Sequence, residues 1–509
     1  MTKNKCDKGG YILNRRNVWA SYDRKRTKEA YDFAEDYKVF LDSSKTEREC
    51  IDTIVNEIEE QGYRELGPII RAKGSLKAGD KVYAVWMNKT IVMFQLGTDP
   101  LEKGMNILGA HIDSPRLDVK QNPLFEDSGL AYFDTHYYGG IKKYLYVTLP
   151  LALHGVVVRK DGSTAILNVG EDADDPVFFI SDLLIHLSQE QMQKKAAEVV
   201  EGEALDLVVG HRAFVVEGKK DEAEERDDTL TAGQVYALEN ERQEAASAKK
   251  VSGAVRRGIL AILKDEYDIE EEDFISAELE IVPAGKARDA GFDRSMVLAY
   301  GQDDRVCAFP SMRALENAGE LTRTGCCILV DKEEIGSVGA TGMRSRFFEN
   351  TLAELMALTG EYSELALRRC LANSAMLSSD VSAAYDPGFA SAFEKKNACV
   401  MGQGMVFNKF TGSRGKSGSN DANAEYIAHL RNVLAREDVI FQTAELGRVD
   451  LGGGGTIAYI LALYGMNVID SGVAVLNMHA PWEATSKADL YETYRGYLAF
   501  LRGVTITNE

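Results

Sequence analysis

Gly109-Ala-His111-Ile-Asp113-Ser-Pro115 and Asp331-Lys-Glu333-Glu334-Ile-Gly336 are the two stretches that decide the fold, because each sets polar side chains directly after an apolar run. The runs are Ile107-Leu108 for the first stretch and Cys326 to Val330 for the second. On a strand, residues two apart point to the same face. His111 and Asp113 are therefore predicted to meet, with Asp113 holding the imidazole in one tautomer, as the partners of metal-binding histidines do.

Adjacent glutamates at the end of a strand can divide two tasks in a metal site. One can bind a divalent ion, while the other accepts a proton from the water that the ion activates. Active sites of open α/β sheets lie beyond the carboxyl ends of strands. Three more polar residues follow strand-like runs, namely Asp303, Asp380 and His479. Two histidines and several carboxylates without cysteine suit two divalent ions bridged by one carboxylate. Each residue alone is typical of an ordinary loop, and only their joint placement predicts the site.

Composition narrows the possible partners of this 509-residue chain. Its net charge of -20 disfavours a nucleic-acid partner. We see no apolar run near the roughly 18 residues that span a bilayer, and the N-terminus lacks the apolar segment of a signal peptide. The seven cysteines are scattered, with no Cys-x-x-Cys pair, which fits free thiols in a reducing compartment. We therefore expect a cytoplasmic protein that binds neither nucleic acid nor membrane.

The order of apolar segments predicts an α/β fold. Helical spacing runs through 24–62, and strands are predicted at 81–86, 90–94 and 144–149. From about residue 295, strands and helices alternate, which indicates a largely parallel sheet. Residues 122–290 are predicted to be an antiparallel insertion, so that the main domain comprises 1–121 and 291–509. Within the insertion, the highly charged stretch 218–249 is predicted to be a solvated helix or a mobile loop.

A run of four glycines, Gly452 to Gly455, precedes a predicted helix at 456–464. Such a run can cradle a phosphate at a helix N-terminus. No Gly-Lys-Ser/Thr follows, however, and the run does not match the Gly-x-Gly-x-x-Gly pattern of dinucleotide-binding proteins. We favour close approach of the backbone around Gly454 to a peptide-like substrate or to a neighbouring element.

The chain resembles the aspartyl aminopeptidase family of dinuclear zinc metallopeptidases from about residue 25 to 502. Five motifs occur in that family's order: His111-Ile-Asp113-Ser-Pro, Gln302-Asp303-Asp304-Arg305, Asp331 to Gly336, Ser379-Asp380 and Met478-His479. The resemblance implies an α/β metallopeptidase domain with a mainly parallel central sheet, interrupted by a β-rich dimerisation domain. It also implies peptide substrates and assembly of dimers into a homododecamer.

The resemblance assigns a role to each matched residue. His111 and Asp380 would complete one metal site, Glu334 and His479 would complete the other, and Asp303 would bridge the two ions. Glu333 would be the general base, and Asp113 would orient His111. The implied ions are two Zn²⁺ per subunit, with Mn²⁺ or Co²⁺ as alternatives.

Departures from the family pattern concern substrate binding. Asp182 stands where the family has a histidine that reaches the active site of a neighbouring subunit. Asn408, followed by Lys409, replaces a lysine associated with acidic substrates, and Asp386 replaces a histidine. With Gly454, we take Asp182, Asn408 and Lys409 as candidate substrate-binding residues. A strong preference for N-terminal Asp or Glu is therefore not expected.

Three functions are compatible with the sequence. The favoured one is a metal-dependent aminopeptidase with Glu333 as base. A dinuclear deacylase of small N-acyl compounds would use the same ions, and a catalytically inactive binding or scaffold protein could keep the fold. The intact set of ligands disfavours the inactive alternative, because a decayed site would lose a ligand or Glu333.

Overall fold

The computed structural model describes residues 17–213, 253–412 and 415–505. The charged stretch 218–249 lies outside these residues. The chain divides into two compact units. The first unit is formed by the chain up to Pro115 and again from Lys286, and the second is Arg116–Gly285. The predicted insertion, 122–290, begins and ends a few residues further along the chain than the second unit.

Eleven α-helices occur in the described residues, ten of them in the first unit. None of the eleven combines the length and the apolar character needed to cross a bilayer. They are α1 (Val18–Ser21), α2 (Arg24–Asp42), α3 (Glu47–Glu60), α4 (Leu66–Arg71), α5 (Ala254–Tyr267), α6 (Gln302–Glu316), α7 (Phe347–Thr359), α8 (Glu364–Asn373), α9 (Ala424–Arg436), α10 (Ala458–Ala462) and α11 (Lys487–Gly503).

Twenty strands occur in the same residues. They are β1 (Arg64–Glu65), β2 (Lys81–Trp86), β3 (Thr90–Gln95), β4 (Asn106–His111), β5 (Arg116–Asp127), β6 (Leu130–Tyr138), β7 (Leu151–Val158), β8 (Thr164–Val169), β9 (Leu207–Gly210), β10 (Ala277–Pro283), β11 (Arg288–Ala290), β12 (Met296–Ala299), β13 (Gly325–Val330), β14 (Ala375–Ser379), β15 (Ser382–Ala383), β16 (Met405–Asn408), β17 (Phe441–Ala444), β18 (Asn467–Gly472), β19 (Ala474–Leu476) and β20 (Glu483–Ser486).

A nine-stranded sheet forms the centre of the first unit, in the order β1-β2-β3-β13-β4-β14-β18-β16-β17. Its four middle strands, β13, β4, β14 and β18, are parallel. β13 and β4 are buried along their whole length, because a parallel sheet is covered on both faces and its strands are accordingly apolar throughout. The predicted α/β fold with a mainly parallel central sheet is confirmed.

Helices cover the two faces of this sheet and create two separate cores. Leu108, Leu329 and Leu377 point to the face covered by α2, α3, α6, α9 and α11. Ile107 and Ile328 point to the opposite face, which is covered by α4, α7, α8 and α10. Alternation along each strand therefore divides its apolar residues between the cores. A smaller five-stranded sheet, β11-β12-β20-β19-β15, belongs to the same unit.

The second unit contains a six-stranded antiparallel sheet, β8-β7-β10-β5-β6-β9. β8 alternates strictly between exposed and buried residues, as expected for a strand with one face in solvent. The buried face packs around Phe133, Phe274 and Ile281, together with residues of α5. The unit thus has an apolar core of its own.

Two of the element predictions were wrong in detail. The strand predicted at 144–149 is absent from these described residues, where Lys143–Leu145 forms a 3₁₀ turn and β7 begins only at Leu151. Pro150 immediately precedes β7, where a proline can be accommodated at the start of a strand. The helical region 24–62 is divided at residues 43–46, where Thr46 and Glu49 form a capping box that starts α3.

Gly472, at the end of β18, allows a close backbone approach near the carboxyl edge of the main sheet. A Cβ added at Gly472 would lie 1.9 Å from the carbonyl oxygen of Asp380 and 3.0 Å from the Cys307 sulfur. The first distance is far below van der Waals contact, so one of the two backbones would have to move. Glycine at this position therefore determines where the chain leaves β14.

We predict that Gly472→Ala lowers the free energy of unfolding by about 1–3 kcal/mol, because an overpacked site must distort its surroundings. Gly455→Ala is the matched control, since an added Cβ there meets no atom within 4 Å. The control should change stability by no more than about 0.5 kcal/mol. Urea denaturation of the two purified variants measures the difference, and equal stabilities would contradict the steric argument.

Candidate metal centre

Three neighbouring parallel strands deliver polar residues to one edge of the main sheet. His111 is the last residue of β4, and Asp380 directly follows β14. After β13, the chain makes a 3₁₀ turn over Glu333–Ile335, which presents both glutamates at the same edge. This arrangement follows from parallel pairing, because the carboxyl ends of β13, β4 and β14 meet there.

The remaining two predicted ligands come from the region of the smaller sheet. Asp303 lies in the first turn of α6, directly after the chain leaves β12. His479 lies in the loop that joins β19 to β20. Two sheets of the first unit therefore contribute to one cluster.

Asp303 lies between the two histidines. Its Oδ1 is 3.2 Å from His111 Nε2, and its Oδ2 is 3.2 Å from His479 Nε2. Asp380 Oδ1 is 3.9 Å from His111 Nε2, and Glu334 Oε1 is 3.6 Å from His479 Nε2. The structure thus brings together all five residues predicted to bind metal.

The five residues form two groups of possible metal ligands that share Asp303. The first group is His111, Asp303 and Asp380, and the second is Asp303, Glu334 and His479. Within each group the ligand atoms lie within 4.8 Å of one another. Imidazole and carboxylate donors suit Zn²⁺, and three protein ligands leave a coordination position for water or substrate. The residues therefore fit one divalent ion per group.

Burial makes this cluster electrostatically costly without cations. Burial raises the pKa of Glu334 and Asp380 well above the ordinary carboxyl range. Burial also acts to raise the pKa of Asp303, but hydrogen bonds from His111 and His479 hold it below its usual value. A divalent ion in each group would stabilise the ionised carboxylates, because an opposite charge nearby favours the charged form.

Solvent reaches the second group more easily than the first. The side chains of His111 and Asp303 are almost fully buried, whereas that of His479 is 34% exposed. The cluster consequently has a closed end at the main sheet and a more open end at the loop between β19 and β20.

Asp113 has two roles in the geometry. Its Oδ1 lies 3.3 Å from His111 Nδ1, as the spacing predicts, and the same nitrogen is 2.9 Å from the Asp113 carbonyl oxygen. Its carboxylate also accepts hydrogen bonds from the backbone N–H groups of Glu333, at 3.1 Å, and Glu334, at 3.2 Å. Asp113 thus joins the histidine ring of β4 to the glutamate pair after β13.

Glu333 occupies the site beside the two groups without belonging to either. Burial raises its pKa to about 7, with Asp113 and Asp303 adding to the effect and His111 opposing it. A carboxyl group that exchanges its proton near neutral pH suits general acid–base catalysis.

The candidate substrate-binding residues make contacts with neighbours outside the metal cluster. Asn408 Nδ2 donates to Ser382 Oγ at 2.7 Å. Lys409 Nζ lies 2.5 Å from Asp421 Oδ1.

The other two candidates make local hydrogen bonds. The Gly454 N–H donates to the Thr411 carbonyl oxygen at 3.3 Å. Asp182, in the second unit, accepts a hydrogen bond from Gln191 Nε2 at 2.8 Å.

Two buried carboxylates near the site were missed by the sequence analysis. Glu483 accepts hydrogen bonds from the backbone N–H groups of Asp303 and His479. Asp470 accepts a 2.6 Å hydrogen bond from the Thr456 hydroxyl, just after the glycine run, and burial raises its pKa to about 7. Asp470 directly follows the apolar pair Val468-Ile469, so the signal that points to the five ligands was present there. Glu483, four residues after His479, follows no strand-like run.

Comparison with known proteins gives one consistent family. The family model described as "Aminopeptidase I zinc metalloprotease (M18)" matches residues 40–501. A probable M18 family aminopeptidase 1 of Clostridium acetobutylicum is 56% identical over 486 residues, which cover 96% of this chain and 98% of that protein.

Solved structures agree with this match. The crystal structure of aminopeptidase I from C. acetobutylicum is 52% identical with a TM-score of 0.83, covering 97% of this chain and 100% of that one. The crystal structure of an M18 aminopeptidase from Thermotoga maritima is 40% identical with a TM-score of 0.85, with the same coverage. The S. cerevisiae mApe1 dodecamer is only 20% identical, with a TM-score of 0.69 over 92% of this chain and 96% of that one, and shows the fold alone.

Proposed function

From the premise that this chain belongs to the aminopeptidase I (M18) family of zinc metalloproteases, we propose that it removes N-terminal residues from peptides at the cluster around Asp303. The chain is a zinc metallo-aminopeptidase of that family. The observation that carries the proposed site is the sharing of Asp303 by two histidines, at 3.2 Å from each. The family match disfavours the alternatives of an N-acyl deacylase and of an inactive scaffold.

Two divalent ions per subunit complete the proposal. His111, Asp303 and Asp380 would hold one ion, and Asp303 would share the second with Glu334 and His479. We propose Zn²⁺ for both positions, with Mn²⁺ and Co²⁺ as the alternatives to test. When bound, such ions lower the pKa of water and polarise the scissile carbonyl group.

Glu333 is proposed to move the proton. Its carboxylate accepts a proton from the attacking water and passes it to the leaving amine, as a general base and then a general acid. Asp113 keeps this glutamate in place through the Glu333 N–H and orients the ring of His111.

Peptide trimming from the N-terminus requires recognition of a free α-amino group. The neutral amine of the substrate can bind an ion, and its protonated ammonium form can pair with a carboxylate oxygen of this carboxylate-rich site. We propose that this interaction limits cleavage to the first peptide bond, because a blocked N-terminus would lose it.

The charges around Lys409 affect which N-terminal side chain of a substrate the enzyme prefers. The Lys409 ammonium is paired with Asp421, which also binds Lys416 at 2.8 Å. Asn408, at the position of the family's lysine, is neutral and donates to Ser382. An acidic side chain needs a cation to replace its hydration, so these contacts support the expectation that N-terminal Asp and Glu are not strongly preferred.

We also propose a homo-oligomer, a dodecamer built from dimers, in which residues 122–290 form the dimerisation region. A segment of the second unit that exposes several large apolar side chains supports this dimerisation region. Large apolar patches on a protein surface mark interaction sites. The exposed apolar side chains of the segment are Val177, Phe179, Leu183, Leu184, Ile185, Leu187 and Met192. A protein of the same fold, mApe1, is solved as a dodecamer.

The first prediction concerns Glu333. Glu333→Gln keeps the size of the side chain but removes the base, so turnover should fall by about 10²–10⁴-fold, while elemental analysis still finds two ions. His479→Ala is the control for metal loss, and it should lower the ion content. Near-wild-type turnover of metal-loaded Glu333→Gln would contradict the assignment of the base.

The second prediction concerns specificity. Peptides or aminoacyl reporters with N-terminal Lys or Leu should be cleaved with a kcat/KM at least equal to that of the Asp counterpart. Lys409→Ala should leave kcat/KM unchanged for the substrates with N-terminal Lys or Leu. An aspartyl substrate preferred by about tenfold or more would show that the site presents a cation to acidic side chains.

The third prediction concerns assembly. Light scattering should give a mass several times the 56.1 kDa of one chain. Leu184→Glu combined with Leu187→Glu should reduce that mass, because charges at an apolar contact are costly to bury. Leu365→Glu is the control, since this exposed leucine lies on α8 in the other unit. A wild-type monomer at micromolar concentration would refute the proposal.

A further inference from the structure

We propose that Glu483 is a positioning residue that sets the geometry of the second metal group, Asp303, Glu334 and His479. This inference rests on the proposed function, because it assigns Glu483 a role in holding the ligands of the second ion. Glu483 is 2% exposed and is the first residue of β20.

The carboxylate of Glu483 uses each of its oxygens for a different ligand of that group. Oε2 accepts a 3.0 Å hydrogen bond from the backbone N–H of Asp303. Oε1 accepts a 2.8 Å hydrogen bond from the backbone N–H of His479. One side chain therefore fixes the relative position of two residues that come from α6 and from the loop between β19 and β20.

The backbone of Glu483 is itself firmly held. Glu483 pairs with Ala299 in the smaller sheet, and its carbonyl oxygen accepts a 2.6 Å hydrogen bond from Gln302 Nε2. On the other side of the cluster, Ser114 Oγ donates to the carbonyl oxygen of Asp303 at 2.6 Å. Asp303 is thus restrained at its N–H by Glu483 and at its C=O by Ser114.

A carboxylate suits this position better than an amide. The two backbone donors need two acceptors, and a carboxylate has two acceptor oxygens. Glutamine would supply one oxygen and one NH₂ group, which would face a backbone N–H and leave that buried donor without a partner. The unsatisfied buried donor would destabilise either the loop that contains His479 or the first turn of α6.

The first metal group depends less on Glu483. His111 is oriented by Asp113, and the Asp380 N–H donates to the Ser471 carbonyl oxygen at 3.2 Å. The shared Asp303 links this group to Glu483. Loss of Glu483 should therefore weaken binding of the second ion more than that of the first.

The test is a Zn²⁺ titration of chelator-stripped, full-length Glu483→Gln protein against a chromophoric competitor. We expect the first ion to bind as in the wild type and the second ion to bind about 10–100-fold more weakly, the usual range for partners that orient metal ligands. At saturating Zn²⁺ the variant should regain most of its turnover, whereas Glu333→Gln should not.

Asp489→Asn is the matched control. Asp489 is fully buried on α11 and also accepts two backbone hydrogen bonds, from Gly402 at 2.6 Å and Gly404 at 2.7 Å. It should lose thermal stability like Glu483→Gln, because the same kind of bond is removed, but it should bind two ions with wild-type affinity. Equal weakening of metal binding in the two variants would show that the effect arises from general destabilisation, and it would overturn the proposal.

The remaining outcomes separate the two proposals. A folded Glu483→Gln protein that binds two ions with wild-type affinity overturns the role of Glu483 and leaves the proposed function intact. A wild-type protein that binds fewer than two ions overturns the two-ion site itself. If Glu483→Gln does not fold, Glu483→Asp carries the same test, since its shorter carboxylate keeps the charge but cannot span the two donors, and wild-type affinity for the second ion would again refute the role.

Discussion

The structure of this site depends on one carboxylate with a different imidazole at each oxygen. Asp303 lies 3.2 Å from His111 on one side and 3.2 Å from His479 on the other. His111 belongs to a strand of the main sheet and His479 to a loop of the smaller sheet, so the geometry exists only when β4 and the loop between β19 and β20 are correctly placed. The parallel pairing of the middle strands positions His111, and the glycine at the end of β18 allows the backbone of Asp380 to approach closely.

The cluster is ordered mainly by hydrogen bonds to backbone N–H groups. Asp113 accepts from the glutamate pair, and Glu483 accepts from Asp303 and His479. Two carboxylates thereby fix three segments of chain through four backbone N–H groups, and neither carboxylate belongs to a group of possible metal ligands. A site held by its backbone needs little reorganisation when it binds an ion, which is the physical meaning of preorganisation.

Much of the site could be predicted from sequence because its ligands follow apolar strands. His111 ends β4, Asp380 directly follows β14 and Glu334 lies in the turn after β13, so parallel pairing of these strands brings the three residues together. Glu483 could not be found in this way, since its role depends on two hydrogen bonds formed only in the folded protein, and nothing in the local pattern distinguishes it from an ordinary strand residue. The strand predicted at 144–149 failed for a similar reason. Its apolar residues satisfy the pattern, but the chain forms a turn there and pairing begins only after Pro150.

The distribution of the ligands along the chain has a consequence for synthesis. The first group is complete once residue 380 has been made, but the second requires His479, and the second compact unit is made between His111 and Asp303. Contacts between residues so far apart in sequence form late, because the loops between them must close first. During translation, a nascent chain would carry the complete first group well before it acquired the second. A fragment truncated before residue 479 would therefore lack His479 and with it the second group of possible metal ligands.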